Sequence, residues 1–150
     1  PSGKTCQQPA ELLDIYPTLT GLTGLPQAVG QEGLSLQPQI EAPDTLRQRP
    51  AICTHNAGNH SVCDNRWRYI RYADGAEELY DRSKDPQEYA NLLSHDKVQP
   101  AHRAVANRLA EWLPTDERPL APGSSARILE KRNDGFYWQE QKILPENLVD

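Results

Sequence analysis

The sequence lacks any long run of apolar residues. No stretch approaches the roughly 18 consecutive apolar residues that a membrane-spanning helix requires, so no transmembrane span is predicted. Hydrophobic residues make up only 37% of the 150 residues, while 13 residues are proline. Such a chain can bury one core but is rich in loops, and part of it is expected to rest on a partner surface. No signal peptide is apparent, which is uninformative if the chain is the tail of a longer protein.

The sequence also lacks an excess of basic residues. Its net charge of −5 argues against nucleic acid or an anionic membrane as the main partner. Basic residues cluster locally at Arg66, Arg68 and Arg71, where an anionic polysaccharide could bind. On a regular strand, however, Arg68 and Arg71 point to opposite faces. We therefore favour a charged, solvated strand over an anion-binding patch.

Cysteine is scarce as well, because the chain contains only Cys6, Cys53 and Cys63. An odd number leaves one thiol unpaired in any monomer and does not suit a disulfide scaffold. Cys53, His55, His60 and Cys63 carry the side chains that zinc prefers, but their spacing matches no common zinc finger. We favour two other interpretations, in which Cys53 and Cys63 are small buried hydrophobic residues or a cross-strand disulfide.

The most distinct structural pattern lies at residues 66–81. Residues 66–73 alternate with the period of a strand, and their Trp, Tyr and Ile side chains suit a half-buried sheet. Asp74-Gly75 is typical of a type I′ turn, and residues 77–81 return as a second strand. The adjacent Glu77 and Glu78 point apart and are predicted to be ordinary edge-strand charges or partners of arginines on the facing strand.

Weaker patterns surround this hairpin. A short helix is expected to begin near Pro9, to break and restart at Pro17 and to end at Gly24. A loop-rich connector with one helical turn near residues 35–40 leads to strands at 51–55 and 61–63. A second helix is predicted near residues 97–113, with Ser94 as its N-cap. Its predicted apolar stripe, with Trp112 in the core, consists of Val98, Ala101, Val105, Leu109 and Trp112.

The tail from residue 115 is rich in Pro, Gly and Ser up to residue 125, and Asn133-Asp134-Gly135 predicts a last hairpin. The predicted fold class is therefore α+β: a small antiparallel sheet of about four strands with a helix packed across it.

Several short motifs resemble those of type I sulfatases, the formylglycine-dependent family, and they follow one another along the chain in the same order. The closest likeness is to the C-terminal part of bacterial iduronate-2-sulfatase-like members, and it covers roughly residues 9–129. The motifs are Glu11–Leu19 (ELLDIYPTL), Gly24–Pro26, Gly33-x-Ser35-Leu36-x-Pro38, Arg68–Tyr72 (RYIRY), Glu78–Asp81 (ELYD), Asp85-Pro86-x-Glu88-x-x-Asn91-Leu92, Trp112–Pro114 and Ala121–Ser124.

This resemblance implies a sulfatase that acts on a sulfated sugar, with most of its chemistry outside these residues. The family's nucleophile is a formylglycine made from cysteine in Cys-x-Pro/Ala-x-Arg, and its metal, usually Ca²⁺, is held by Asp and Asn or His. Cys6 is followed by Gln7-Gln8-Pro9-Ala10, which lacks the arginine. We expect no catalytic residue and no metal ligand in this chain.

The resemblance also implies a domain division. Residues 1–45 would be a helical and loop segment of the larger alkaline-phosphatase-like α/β sulfatase domain, and residues 46–150 the C-terminal subdomain with its tail. Without the missing N-terminal sulfatase domain, in the same or a second chain, the apolar face of the first segment is expected to be exposed. Family membership further implies a periplasmic or extracellular location.

The candidate substrate-binding residues are Asn59 and His60. In similar sulfatases a Gly-Asn-His loop precedes the strand with the RYIRY motif and borders the active-site cleft, where it could hydrogen-bond a sugar hydroxyl or a carboxylate. The simpler interpretation is a solvent-exposed turn in which His60 has no role. Among the tryptophans, Trp138 is the candidate for stacking on a sugar ring.

Two other functions remain open from the sequence alone. One is a stand-alone carbohydrate-binding module, and the other is a small interaction domain stabilised by zinc. A chain or upstream segment that contains Cys-x-Pro-x-Arg would favour the sulfatase.

Overall fold

The computed structural model describes residues 3–94, 98–117, 129–138 and 141–144. Residues 1–118 and 119–150 form two separate compact units. Much of the predicted Pro/Gly/Ser-rich tail, like the start of the second predicted helix, lies outside the described residues.

The first unit begins with a 3₁₀ turn at Leu12–Asp14 that runs directly into helix α1, Ile15–Thr23. Pro17 is the third residue of α1, where its missing N–H has no intrahelical acceptor to lose. Gly24 ends the helix in the left-handed conformation, at φ 70°. The predicted positions of Pro17 in a first helical turn and of Gly24 at the helix end are confirmed. The predicted break at Pro17 and the start near Pro9 were wrong, because the helical segment runs without interruption from Leu12. A short helix α2, Gln37–Glu41, follows.

Helix α1 has an unusual distribution of side chains. The residues that it buries are polar or proline, namely Asp14, Pro17, Thr18 and Thr20, counting the residue before its first turn. Its large apolar side chains point to solvent, and they include Ile15, Leu19 and Leu22 at 50%, 57% and 53% exposure. The expectation of an exposed apolar face in this segment is therefore confirmed.

A buried ion pair ties this segment to the loop before the sheet. The Asp14 carboxylate accepts hydrogen bonds from both terminal nitrogens of the Arg47 guanidinium. It also accepts the backbone N–H groups of Glu11 and Leu34, at 2.8 and 2.9 Å. Burial raises the pKa of Asp14, but these hydrogen bonds outweigh burial and hold the pKa below its usual value.

Four antiparallel strands form the predicted sheet in sequential order. They are β1 (Ala51–Thr54), β2 (His60–Cys63), β3 (Trp67–Arg71) and β4 (Glu77–Asp81). The register aligns Val62, Tyr69 and Leu79 in one row across β2, β3 and β4. All three side chains are essentially inaccessible to solvent, so this row is the sheet's contribution to the core.

The turn between β3 and β4 differs from the predicted type I′ turn. Gly75 has φ 87°, but Asp74 does not have a positive φ, which type I′ requires at both positions. The Gly75 N–H donates to the Tyr72 carbonyl, and the Tyr72 N–H donates to the Ala76 carbonyl. This is a type I turn closed by glycine in a bulge, a three-residue connection that also suits the twist of a hairpin.

Helix α3, Pro100–Ala110, packs across the sheet. Its N-cap is Gln99 rather than the predicted Ser94. The predicted stripe is also rotated: Ala106, Leu109 and, after the helix, Leu113 enter the core, whereas Trp112 is 40% exposed. Trp112 as a core residue was therefore a wrong prediction. Within the described residues, no helix has the length and apolar character to cross a membrane.

The second unit contains a three-stranded antiparallel ribbon, in the order β5 (Leu129–Arg132), β6 (Gly135–Trp138) and β7 (Gln141–Lys142). The predicted hairpin at Asn133–Gly135 is confirmed by the pairing of β5 with β6. The third strand was not predicted.

Candidate functional site

The loop between β1 and β2, residues 55–59, is held tightly at its base. The His55 N–H donates to the Asn59 carbonyl at 2.9 Å. Asn56 and Gly58 both adopt positive φ, at 60° and 77°, and asparagine and glycine tolerate this conformation best. A Cβ at Gly58 would lie 2.9 Å from the Cβ of Ala73, so the loop packs closely against the β3–β4 turn.

His60 is not part of this loop but the first residue of β2, and it is 3% exposed. Its Nδ1 lies 2.9 Å from the Thr54 hydroxyl, and its Nε2 lies 2.9 Å from Oε1 of Glu117. Both ring nitrogens therefore have an oxygen partner, and the imidazole is enclosed rather than presented on the surface.

Glu117 links this histidine to the loop. Its second carboxylate oxygen accepts the backbone N–H of Gly58. The hydrogen bonds from His60 and Gly58 hold the pKa of Glu117 below its usual value, so the carboxylate is anionic at neutral pH. Glu117 was missed by sequence reasoning, because it lies 57 residues from His60 and belongs to no recognisable motif.

Asn59 connects the same loop to the β3–β4 turn. Its side-chain amide donates to the Ala57 carbonyl at 3.1 Å, and its Oδ1 accepts the Ala73 N–H at 3.3 Å. The side chain is half-buried. One amide hydrogen and one lone pair stay available, so this group can still hydrogen-bond a ligand.

The strand register continues a polar row from His60 across the sheet. His60 faces Arg71 on β3, which in turn faces Glu77 on β4. Glu77 accepts the Tyr69 hydroxyl at 2.6 Å and pairs with Arg103 of α3. Burial, and then the hydrogen bond to Glu77, raise the pKa of Tyr69 well above its usual value. Glu77 therefore pairs with an arginine, but this arginine lies on α3 and not on the facing strand as predicted.

No protein-family model matches the chain. The chain is 42% identical over 144 residues to a sulfatase from Formosa agariphila, and the match covers 95% of this chain and 26% of that protein. It is 28% identical over 127 residues to a Delta 4,5-hexuronate-2-O-sulfatase from Bacteroides thetaiotaomicron, over 77% of this chain and 26% of that protein.

The chain belongs to the sulfatase family. A solved 2-O GAG sulfatase is also similar, with a TM-score of 0.50 at 25% identity, over 71% of this chain and 27% of that chain. The chain therefore spans about a quarter of the length of these three relatives. The predicted resemblance to a sulfatase C-terminal part is confirmed.

The cysteine and histidine residues do not assemble into a metal site in the part of the chain that the structure describes. No group of three or more His, Cys, Asp or Glu side chains there could hold a metal ion. Cys53 is exposed, Cys63 is half-buried, and both are free. Both favoured interpretations, buried hydrophobic residues and a cross-strand disulfide, were therefore wrong; in the register of β1 and β2, Cys53 faces Ser61 and Cys63 faces Ala51. Cys63 instead accepts a hydrogen bond from Arg82, at 3.0 Å.

The three arginines of the central hairpin do not form one patch. Arg66 forms a bidentate pair with Asp81, and Arg68 pairs with Glu88, each at its own position on the surface. Arg66, together with Trp67 and Trp112, also lines a groove of about 400 Å³. Its cationic group lies 4.6 Å from the centre of the Trp67 ring, so the surface at this point is an ion pair above an aromatic ring.

Proposed function

We propose that this chain is the C-terminal part of a sulfatase that hydrolyses sulfate esters of a sulfated sugar. The observation that carries the proposal is its 42% identity to a sulfatase along 95% of the chain. The names of two relatives, a Delta 4,5-hexuronate-2-O-sulfatase and a 2-O GAG sulfatase, favour a 2-O-sulfated uronic acid in a glycosaminoglycan as the substrate. These relatives also suit the predicted iduronate-2-sulfatase-like branch.

In this proposal the reacting groups lie outside the chain. A divalent metal, with Ca²⁺ as the expected ion, would neutralise sulfate oxygens in the complete enzyme. Its ligands and the formylglycine would come from the upstream α/β domain, because the residues described here offer no group that could hold a metal ion.

We expect the isolated chain to have no sulfatase activity. The measurement is an assay of the purified chain with an aryl sulfate and with a 2-O-sulfated unsaturated disaccharide. The complete enzyme, produced and assayed in the same way, is the positive control. Sustained turnover by the isolated chain would show that it contains a nucleophile that its sequence does not reveal.

We further propose that the loop at residues 55–59 borders the substrate cleft. Asn59 would contact a sugar hydroxyl or carboxylate through the amide hydrogen that it has left. His60 would act indirectly, because its ring is enclosed between Thr54 and Glu117. Since Glu117 also holds the Gly58 N–H, loss of the imidazole would release one of the anchors that fix the loop. His60 is thus proposed as a positioning residue.

Substitutions in the complete sulfatase test this role. Asn59→Ala and His60→Ala should each lower kcat/KM on the sulfated disaccharide by about tenfold to a hundredfold, the effect of losing about 1–3 kcal/mol of transition-state binding. A small aryl sulfate offers the loop little to bind and should be affected much less. The loss of kcat/KM in His60→Ala should appear as a higher KM, and Glu117→Gln should raise KM in the same way.

His102→Ala, at a half-buried histidine of α3, is the control for general loss of an imidazole. Unchanged kcat/KM on the disaccharide in both Asn59→Ala and His60→Ala would refute the role. An equal loss on both substrates would point to a folding defect instead, which thermal unfolding of the variants would reveal.

The exposed apolar face of α1 supports the proposed domain division. Residues 1–45 would pack against the missing α/β domain, which would cover the leucines that point to solvent in this chain. A periplasmic or extracellular location, proposed from the family alone, is tested by cell fractionation with antibodies against the complete protein.

A further inference from the structure

The ribbon of β5, β6 and β7 has two chemically different faces. In antiparallel strands, directly opposed residues share a face, and so do residues two positions apart. The register therefore places Leu129, Lys131, Phe136, Trp138 and Gln141 on one face, called here the aromatic face. Glu130, Arg132, Tyr137 and Lys142 share the other face.

The polar groups of the second face interact with one another. The Arg132 guanidinium stacks 4.1 Å from the centre of the Tyr137 ring and pairs with Glu130 at 2.7 Å. The Tyr137 hydroxyl and the Lys142 ammonium both donate to Asp134 in the turn, at 2.8 and 2.9 Å. This network fixes the ribbon from one side and leaves the opposite side as a preorganised surface.

The aromatic face, by contrast, is open. Leu129, Phe136 and Trp138 are 56%, 49% and 42% exposed. Lys131 lies directly opposite Phe136, and within the described residues its ammonium makes no ion pair or hydrogen bond. Phe136 and Trp138 are two residues apart on one strand, about 7 Å, which is the scale of a single sugar ring.

We propose that the aromatic face binds an anionic saccharide, with sugar rings on Phe136 and Trp138 and a sulfate or carboxylate group at Lys131. Aromatic rings offer a flat apolar surface to the C–H groups of a sugar, and an ammonium beside them attracts its acidic substituent. A dry protein interface fits this face less well, because lysine is depleted at the centre of such interfaces. The inference rests on the proposed function, since it takes the sulfated substrate polymer as the ligand.

Binding of a heparin tetrasaccharide to the 150-residue chain, measured by calorimetry at low salt, tests the inference. Trp138→Ala should weaken binding at least about fivefold, whereas Trp138→Phe, which keeps a ring, should retain most of the affinity. Lys131→Gln should weaken binding by about twofold to fivefold, and this difference should disappear in about 1 M salt. Neutral cellotetraose should bind more weakly than the heparin fragment.

Two variants are matched controls. Lys84→Gln removes the same charge from an exposed position in the other unit, and Trp112→Ala removes an exposed tryptophan there. Both should bind the tetrasaccharide like the wild type, with circular dichroism confirming that every variant is folded. Equal losses in either control, or wild-type affinity in both Lys131→Gln and Trp138→Ala, would overturn the inference.

Other occupants of the face give different results. A dimer that Trp138→Ala dissociates would identify a second copy of the chain, and a lower melting temperature of the complete enzyme in Lys131→Gln would identify a covering protein domain. Either result, without saccharide binding, would overturn the inference. An assay of the complete enzyme with a small aryl sulfate distinguishes failure of the proposed function from failure of this inference. If the complete enzyme does not turn over the aryl sulfate, the proposed function is contradicted, whereas the saccharide-binding measurement still tests the aromatic face.

Discussion

At the scale of single residues, a few positions have a conformation that only certain side chains can adopt. Gly75 is the clearest case, because its φ is 87° while a Cβ added there would meet no atom within 4 Å. The constraint is therefore conformational and not steric. The β3–β4 turn depends on it, since the Gly75 N–H closes the turn onto Tyr72.

Gly75→Val should lower the free energy of unfolding by about 1–3 kcal/mol, because a β-branched residue is strained at positive φ. Gly75→Asn is the matched control and should cost less, since asparagine tolerates this conformation. Urea unfolding of the three proteins gives the comparison. Equal midpoints for Gly75→Val and the wild type would show that the turn does not need glycine.

At the scale of elements, helix α1 has its polar side buried and its apolar side exposed. A helix at a protein surface normally buries its apolar side and exposes its polar side. Helix α1 does the reverse, with Thr18 and Thr20 buried and Leu19 and Leu22 exposed. Its buried polar groups are satisfied locally, because the Thr18 hydroxyl donates to Asp14 and accepts the Leu36 N–H. The apolar side is therefore available for another domain.

Replacing both Leu19 and Leu22 with Gln should affect the stability of the isolated chain and of the complete enzyme differently. In the isolated chain the free energy of unfolding should stay nearly unchanged and aggregation should decrease. In the complete enzyme the double variant should lose about 3 kcal/mol or more, if each leucine is buried there.

Tyr89→Ser is the control for this double variant, since Tyr89 is 86% exposed outside residues 1–45. It should leave both proteins as stable as the wild type. A double Leu→Gln variant of the complete enzyme that melts like the wild type would contradict the proposed domain contact.

At the scale of the whole molecule, several carboxylates make stability depend on pH. Hydrogen bonds from Arg66 and Ser83 hold the pKa of Asp81 far below its usual value. The pKa values of Asp14 and Glu77 are also lowered, because hydrogen bonds outweigh the raising effect of burial. A carboxyl with a lowered folded-state pKa stabilises the fold above its unfolded pKa, about 4, and this contribution is lost as pH falls toward the folded pKa.

The free energy of unfolding should therefore fall between about pH 5 and pH 2. Asp81→Asn should be less stable than the wild type at pH 7 and should show a shallower acid dependence. Asp44→Asn, at an exposed carboxylate, removes the same charge and should retain the wild-type slope. Urea titrations at a series of pH values measure both effects. Identical slopes for Asp81→Asn and the wild type would mean that this ion pair makes no contribution.

Much of the local structure is determined by the sequence itself. The alternation at residues 66–73, the Asp-Gly and Asn-Asp-Gly turns and the proline and glycine at either end of α1 depend on neighbouring residues only. The α+β class and the sulfatase family could therefore be predicted, and the structure and the comparisons confirm both. The family could be predicted from the order of the short motifs along the chain, because such turn and strand patterns can be recognised without knowledge of tertiary contacts.

Tertiary contacts decided what surrounds the candidate site and which helix face is buried. His60 has its partner 57 residues away in Glu117, so no local pattern could show that its ring is enclosed. The rotation of α3 about its axis was likewise set by its contact with the row of Val62, Tyr69 and Leu79. In this orientation Leu113 is buried in the core and Trp112 is exposed. Helical periodicity defines an apolar stripe only to within neighbouring positions. Which of these positions are buried depends on the surface against which the helix packs, and that surface exists only after the chain has folded.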